Sequence, residues 1–372
     1  MHAPALPIPA LPTHMQAMVT QGQGGYEQLQ LCTLPLPRLQ AGEVLLQVLA
    51  AGINNTDINT RLGWYGRGLP GPAEEAIAPV PAAPPLQGWN GPTPFPLIQG
   101  ADCCGRVVAQ APGVQGPGLG QRVLVRSCMR VQGFGSLQTR WLGTDFNGAF
   151  AQYVAVPACE AFAADCDWSD AELASLPCAW GTAENMLQRA ALAGGERVWI
   201  SGASGGVGSA TVQLAKRRGA HVTALTSRDK RAAVVALGAD CVLCREDGKH
   251  AWAAQPEADV VVDNVGGAGL GALLGRLRRG GRYVTSGAIG GAEVALDLRT
   301  LYLNDLRLIG CTAWDAEVFP NLVAYVQRGE IRPALAATYA LADMARAQQD
   351  FLQKAHVGKL VVLPWTEAGQ TA

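Results

Sequence analysis

At 372 residues, 49% apolar and 16% charged, the chain is long enough for two domains and has the composition of an ordinary soluble globular protein. Its formal net charge of −1, with no long basic run, disfavours nucleic acid as a principal partner. No uncharged apolar run reaches the roughly 18 residues of a membrane span, so no membrane partner and a cytoplasmic location are expected.

The opening residues, MHAPALPIPALPTH, are broken by four prolines and lack the basic start and unbroken apolar core of a signal peptide. They read as a disordered tail over residues 1–16. From Met18 to about Tyr153 short strands alternate with Gly/Pro turns: "EVLLQVLAAG", "CCGRVVAQ", "QRVLVRS" and "FAQYVAVP". This pattern predicts an irregular, mostly antiparallel β domain. Within it, residues 63–97 hold nine prolines, six glycines and two tryptophans, a composition that excludes regular structure and marks a functional loop.

After about Ser169 the rhythm becomes helix and strand in alternation. "DAELASLPCAWGTAENMLQRA" has a helical period, "ERVWISGA" is an apolar strand, and "GVGSATVQLAKRRGA" is a helix closed by Gly219. "HVTALT", "CVLC", "DVVVDNVGG", "RYVTSGAIG" and "LRLIGCTAW" supply further strands, with "LLGRLRRGG" read as a helix between two of them. Apolar strands joined by helices predict an α/β fold with a doubly wound parallel sheet. The tail adds helices and a last strand, "GKLVVLP". The domain expectation is a catalytic β domain over 17–178 and 315–372, and a Rossmann dinucleotide-binding domain over 179–314.

Ten cysteines do not form a disulfide framework. Cys241 and Cys244 form a CxxC with no second pair at zinc-finger spacing, which reads as a buried strand. Cys103 and Cys104 are adjacent, point to opposite faces of a strand and are poorly placed to share a ligand.

The strongest signal is "WISGASGGVGSATVQLAKRRG". An apolar strand runs into Ala203-Ser204-Gly205-Gly206-Val207-Gly208 and then a helix, the A-x-G-x-x-G form of a dinucleotide fingerprint. Gly205 would admit a pyrophosphate to the backbone, Gly208 would let the helix pack closely, and the helix N-terminus would face the phosphates. The second strand ends without a carboxylate, at Leu225 and Thr226, and Ser227, Arg228, Lys230 and Arg231 follow. Asp229 lies at about the right count but past the strand, where it suits the next helix N-terminus. Serine and arginine suit a 2′-phosphate, so the expected cofactor is NADPH; the competing reading is a solvated charge cluster.

Together "AAGINNTD", "IQGADCCGRV", "LPCAWGTAENML", "SGASGGVG", "VVDNVGG" and "GKLVVLP" resemble the medium-chain dehydrogenase/reductase superfamily over about residues 17–364. The resemblance implies a barrel-like catalytic domain set against a Rossmann domain, a homodimer, and cofactor contacts that include Thr182, Asn264, Val265, Ser286, Gly287 and Lys359. Zinc alcohol dehydrogenases of that superfamily hold catalytic metal with cysteine, histidine and cysteine. Here those positions resemble Asn54, Ala101 and Cys178, and one thiolate does not make a tetrahedral site. Of the structural-zinc cysteines only Cys128 falls in the region, so no metal is expected.

What remains resembles the zinc-independent quinone oxidoreductase and enone reductase branch, with Asn54 and Tyr65 at that branch's positions. The implied site residues are Asn54 as a donor to a carbonyl oxygen, Thr56 as a proton-relay hydroxyl, and Tyr65 as proton donor or stacking ring. The substrate this resemblance implies is a small carbonyl-conjugated molecule: a quinone, an enone or an enoyl thioester. The competing reading of Asn54 and Asn55 is turn-capping after Gly52. Competing functions are an alcohol or aldehyde dehydrogenase, and a dinucleotide-binding protein with little turnover. The long loop is expected to cover the cleft, with Trp64 and Trp89 as walls.

Overall fold

The computed structural model describes residues 11–66, 87–88 and 90–367. Trp89 and most of the proline-rich stretch lie outside the described residues. The first strand, β1 (His14–Thr20), begins inside the segment expected to be a disordered tail. Its alternate residues Met15, Ala17 and Val19 are buried, which ties residues 14–16 into the core.

Two large sheets organise the molecule, with a separate three-stranded sheet beside the first. β1 pairs antiparallel with β2 (Leu29–Pro35) and with β4 (Leu97–Ile98). Beside them lies β3 (Glu43–Gly52), the spine of a seven-stranded sheet. It bonds antiparallel to β5 (Cys104–Gln110) and β7 (Tyr153–Pro157). Beyond β5 come β6 (Arg122–Val125) and β8 (Ala161–Ala163). The last two strands, β15 (Leu335–Ala340) and β16 (Lys359–Leu363), return from the far end of the chain. Val361 and Val362 of β16 pair with Gly52 and Ala51 at the end of β3. The chain's C-terminal segment is therefore part of the same sheet as "AAGINNTD".

The second sheet is fully parallel, in the order β11–β10–β9–β12–β13–β14. These strands are β9 (Arg197–Ile200), β10 (His221–Thr226), β11 (Cys241–Cys244), β12 (Ala258–Val262), β13 (Leu277–Thr285) and β14 (Arg307–Gly310). The strand order reverses at β9, and such a switch point is where open α/β sheets bind dinucleotides. The Cys241–Cys244 pair forms a strand, as read.

Two local expectations are corrected. The stretch read as one helix is two, α2 (Asp170–Ala174) and α3 (Pro177–Arg189). Pro177 sits at the first position of α3, where its missing N–H costs nothing, but it cannot continue α2. The "RRGG" read as the end of a helix belongs to β13. The helix there stops at Leu274, and the left-handed Gly280 (φ 75°) lets the strand start early with an irregular pairing. The helix over Val318–Gln327 (α5) buries Phe319, Leu322 and Val326 in the core that α3 shares with α4 (Gly206–Arg217) and the parallel sheet.

Candidate active site and dinucleotide cleft

β3 ends at Gly52, and Asn54 then caps α1 (Asn55–Leu62) with extended backbone angles. Asn54 N–H donates to Asp57 Oδ2 at 2.8 Å, the return half of a capping box. The turn-capping reading of Asn54 is thus correct at the backbone. Its side chain has a second task. Asn54 Nδ2 donates to Asp102 Oδ2 at 2.9 Å, and its Oδ1 accepts from Lys359 Nζ at 2.5 Å.

Lys359 Nζ also donates to Asp102 Oδ2 and to the Ile53 carbonyl, each at 2.8 Å. Asp102 in turn accepts from Cys178 N–H at 2.5 Å. The pair Asp102–Lys359 is almost wholly buried, with both charges matched by further hydrogen bonds. A Cβ on Gly52 would run into the Asp102 carboxylate, so glycine is required there.

This network holds two of the nominated residues. Asn54 lines the cleft with its amide engaged on both ends. Lys359 turns its ammonium inward to Asn54 and Asp102, and its stem approaches the glycine loop at Gly206. The residues at the zinc positions do not fit a tetrahedral zinc. Ala101 brings no ligand atom, and Asn54 and Asp102 already bind an ammonium. Burial, then Asp102, pushes the Cys178 thiol well above its ordinary range, and Cys178 is the single cysteine among the three positions. Among the described residues no three His, Cys, Asp or Glu side chains form a metal cluster.

At this end of the cleft wall Thr56 Oγ1 and Trp64 Nε1 are buried without a hydrogen-bond partner in good geometry among the described residues, the Tyr65 phenol being the group nearest to Thr56. Buried polar groups without partners are uncommon, and at a cleft wall they mark where a ligand atom goes. Burial pushes the Tyr65 phenol up to about 12, partly offset by hydrogen bonding to the Thr56 and Asn59 side chains. Trp64 packs edge-on to Tyr65 at 5.4 Å, and Trp141 edge-on to Trp314 at 5.5 Å. These aromatic rings wall the cleft on two sides.

The cleft, about 910 Å³, runs from this corner to the glycine loop. Gly202 adopts φ 59°, and a Cβ on Gly208 would collide with the Gly202 carbonyl, so α4 packs directly on the turn. A Cβ on Gly205 would meet nothing closer than 3.5 Å, which leaves that surface open to a ligand. No side chain caps α4, whose first N–H groups face the cleft opening with the positive end of the helix dipole. These features fit a dinucleotide.

Of the residues nominated for it, Thr182, Gly205, Gly206, Val207, Gly208, Asn264, Val265, Ser286 and Gly287 line the cleft. Ala203 is buried beneath the turn, and the Ser204 carbonyl accepts from Gly358 N–H at 3.0 Å. At the end of β10, Thr226 is buried with Oγ1 lacking a partner in good geometry among the described residues. Ser227 hydrogen-bonds to Asp229, Arg228 pairs with Asp247 at 2.6 Å, and the Lys230 ammonium reaches the Lys354 carbonyl.

Sequence reasoning passed over Asp263 and Asp57. Asp263 accepts from Tyr283 Oη at 2.7 Å, from the Ser201 hydroxyl and from the N–H groups of Val265 and Gly266, so one carboxylate shapes the cleft floor. Both signals were visible as lone acids inside apolar motifs, "VVDNVGG" and "NNTDI". Burial, opposed by N–H donors from Asn54 and Gly100, pushes the Asp57 carboxyl up to about 7.

The comparisons with known proteins agree with this geometry. Residues 40–165 match the alcohol dehydrogenase GroES-like domain and residues 206–328 the zinc-binding dehydrogenase domain. The structure of a putative alcohol dehydrogenase from Sinorhizobium meliloti 1021 is similar, with 41% identity, a TM-score of 0.87, and 95% of this chain and 97% of that one covered. The 2-octenoyl-CoA carboxylase reductase CinF, solved with NADP and 2-octenoyl-CoA, shares 27% identity with a TM-score of 0.81 over 97% of this chain and 90% of that one. The acryloyl-coenzyme A reductase of Metallosphaera sedula is 27% identical over 94% of this chain and 99% of its own length. An NAD-dependent alcohol dehydrogenase of Sulfolobus acidocaldarius is 27% identical over 95% and 100%.

The chain belongs to the medium-chain dehydrogenase/reductase superfamily. It is an oxidoreductase of that family, with a cleft for a nicotinamide dinucleotide.

Proposed function

We propose that the chain is an NADPH-dependent, zinc-independent reductase of activated carbon–carbon double bonds, with enones, enoyl thioesters and quinones as its substrate class. The observation that carries this reading is the corner of the cleft. The Thr56 hydroxyl and a protonated Tyr65 phenol stand there side by side at the cleft wall, next to an Asn54 whose amide is held by Lys359 and Asp102. The curated reductases of acryloyl-CoA and the CinF complex support the double-bond chemistry.

When bound, NADPH supplies the hydride. Thr56 Oγ1 donates to the substrate carbonyl oxygen as charge develops on it, the task an oxyanion donor performs in acyl chemistry. The Tyr65 phenol, held protonated to about pH 12, gives the proton that balances the hydride. Asn54 holds Lys359 and Asp102 in place and so positions the start of α1. Trp64, Trp141 and Trp314 give flat apolar walls that exclude water from the acceptor.

For the cofactor, the reading rests on the missing carboxylate at the end of β10. The Arg228–Asp247 pair is exposed, with Arg228 at 64%, and such pairs are worth about 0–1 kcal/mol. A 2′-phosphate can therefore recruit Arg228 at small cost and gain a charge-assisted hydrogen bond. A homodimer is also part of the proposal, formed where strand β14 ends the parallel sheet.

The test is cofactor oxidation across crotonyl thioesters, alkyl enones, quinones and aldehydes, with NADPH and NADH compared and the zinc content measured. Turnover of conjugated double bonds with NADPH by zinc-free protein is expected. Aldehyde or alcohol turnover that chelators abolish would establish the competing reading, an alcohol dehydrogenase.

A further inference from the structure

Arg126 and Arg130 are both buried beside the cleft. Arg126 has a carboxylate partner, Glu160, at 2.6 Å. Arg130 has none within ion-pair distance among the described residues, and its guanidinium bonds to main-chain carbonyls instead. Nη1 donates to Trp314 at 2.7 Å, and Nη2 donates to Phe134 at 2.9 Å and to Ser136. A buried cation without an anion is costly to keep, and the planar fork of a guanidinium is the side chain suited to several fixed carbonyls at once. We propose that Arg130 is the positioning residue of the acceptor end of the cleft: it clamps the loop over residues 130–139 to the segment that leaves β14, and so joins Leu137 and Trp141 to Trp314 as one wall. This assignment rests on the reading of the cleft as the site of a reductase.

One half of that wall is the loop. Cys128 and Met129 pair antiparallel with Trp141 and Arg140, a two-residue ladder that closes the loop at its base and places Trp141 there. The Arg130 guanidinium lies 5.4 Å from the centre of the Phe134 ring, and the same ring is 5.1 Å from the Arg126 guanidinium. The bonds to the Phe134 and Ser136 carbonyls hold the backbone immediately before Leu137, whose side chain is 69% exposed and lines the cleft. So short a ladder gives a loop little order of its own, and the guanidinium supplies the missing fastening.

The other half is the segment after β14, whose successive carbonyls are each held by a side chain. Thr312 accepts from Cys128 Sγ at 3.5 Å, and Ala313 from Asn185 Nδ2 at 3.3 Å and Arg189 Nη2 at 3.1 Å. Trp314 accepts from Arg130. Its ring is fixed against α3, where a Cβ on Gly181 would run into it, and Phe319 stacks on it at 6.2 Å. Arg130 therefore ties a loosely based loop to a ring held by its own packing. A hydride acceptor confined to the Thr56 and Tyr65 corner does not need that wall, whereas a bulky one lies along it. The dinucleotide, bound at the glycine loop, does not depend on it.

The experiment compares wild type, Arg130→Lys, Arg130→Met and Leu137→Ser by thermal melt, by the NADPH dissociation constant, and by KM for methyl vinyl ketone and benzylideneacetone. Arg130→Met should raise the KM ratio of the bulky to the small enone by roughly tenfold, with the NADPH dissociation constant within about twofold, a split that lost stability alone does not produce. Arg130→Lys should fall between, because an ammonium keeps the charge but not the fork. Leu137→Ser alters an exposed position and should raise the same ratio, which decides the matter should Arg130→Met not fold. An unchanged ratio in Arg130→Met or in Leu137→Ser overturns the assignment, as does an equal weakening of NADPH. Should the wild type reduce aldehydes and no enone, the double-bond reading fails, and the same ratio taken with benzaldehyde and acetaldehyde decides the clamp. A wild type that reduces neither overturns both.

Discussion

Thr56 and Asn54 are two residues apart, and their chemical situations are opposite. Asn54 has every polar atom engaged, whereas Thr56 Oγ1 faces the cleft without a partner in good geometry among the described residues. Thr56→Val keeps the shape and removes the donor. It should lower kcat by about 10²-fold, or about 3 kcal/mol, with the dissociation constant for NADPH unchanged. Tyr65→Phe separates the two roles left open for the ring: a loss in kcat marks a proton donor, whereas unchanged kcat with altered KM marks a stacking surface.

Asp57 makes a pH prediction at the same scale. Its carboxyl titrates near 7 when folded, raised mainly by burial, and near the ordinary value of about 3.9 when unfolded. A raised carboxyl contributes stability that is fully present below the unfolded value and lost as pH rises through the folded one. The melting temperature of Asp57→Asn minus that of the wild type should therefore climb between about pH 4 and pH 7 and stay level above. A difference that is flat from pH 4 to 9 would refute the raised value.

At the scale of elements, α4 and β10 decide cofactor binding between them. α4 can meet the turn because residue 208 has no side chain. Gly208→Ala must push the helix away from the Gly202 carbonyl, at a cost of about 1–3 kcal/mol by overpacking. A lower melting temperature and weaker binding of both dinucleotides should follow, measured by calorimetry and titration. On the proposed NADPH reading, β10 chooses between them: it ends in a buried threonine with Arg228 just beyond. Arg228→Ala should weaken NADPH by roughly tenfold or more and leave NADH nearly untouched, given about 1.5–3 kcal/mol for a charged hydrogen bond. Equal affinity of the wild type for both cofactors would sink the NADPH assignment.

At the scale of the molecule, the parallel sheet stops at β14 with no further strand on its outer side among the described residues. Leu298, Tyr302 and Leu303 next to it are 63, 62 and 59% exposed, and Leu308 on the strand is 43% exposed. An unprotected edge flanked by apolar side chains is a pairing surface, and a second copy can meet it through a twofold axis. The wild type should sediment as a dimer, and Tyr302→Asp with Leu308→Lys should shift it to monomer. A wild-type monomer at micromolar concentration would remove the dimer from the proposal. Among the described residues no helix is long and apolar enough to cross a membrane.

The elements legible in the sequence are those whose signal is local. Apolar runs marked the strands of the parallel sheet, and "SGASGGVG" marked the phosphate turn, because a tight strand-to-helix turn needs glycine at particular places. Local signals misled where two elements abut. Pro177 opens α3 rather than riding inside a longer helix, and Gly280 admits a strand where a helical pattern had been read. The site divided along the same line. Which residue types stand at Asn54, Thr56, Tyr65 and Cys178 was readable, but their partners were not. Asp102 and Lys359 lie 257 positions apart in the chain, and only the antiparallel pairing of β16 with the end of β3 brings the ammonium to the asparagine. That pairing binds Asn54, Asp102 and Lys359 to one another, a set of contacts that the residue types alone do not record. A hydrogen-bond partner is a matter of distance in space, and over such separations the sequence records the residue type but not the distance.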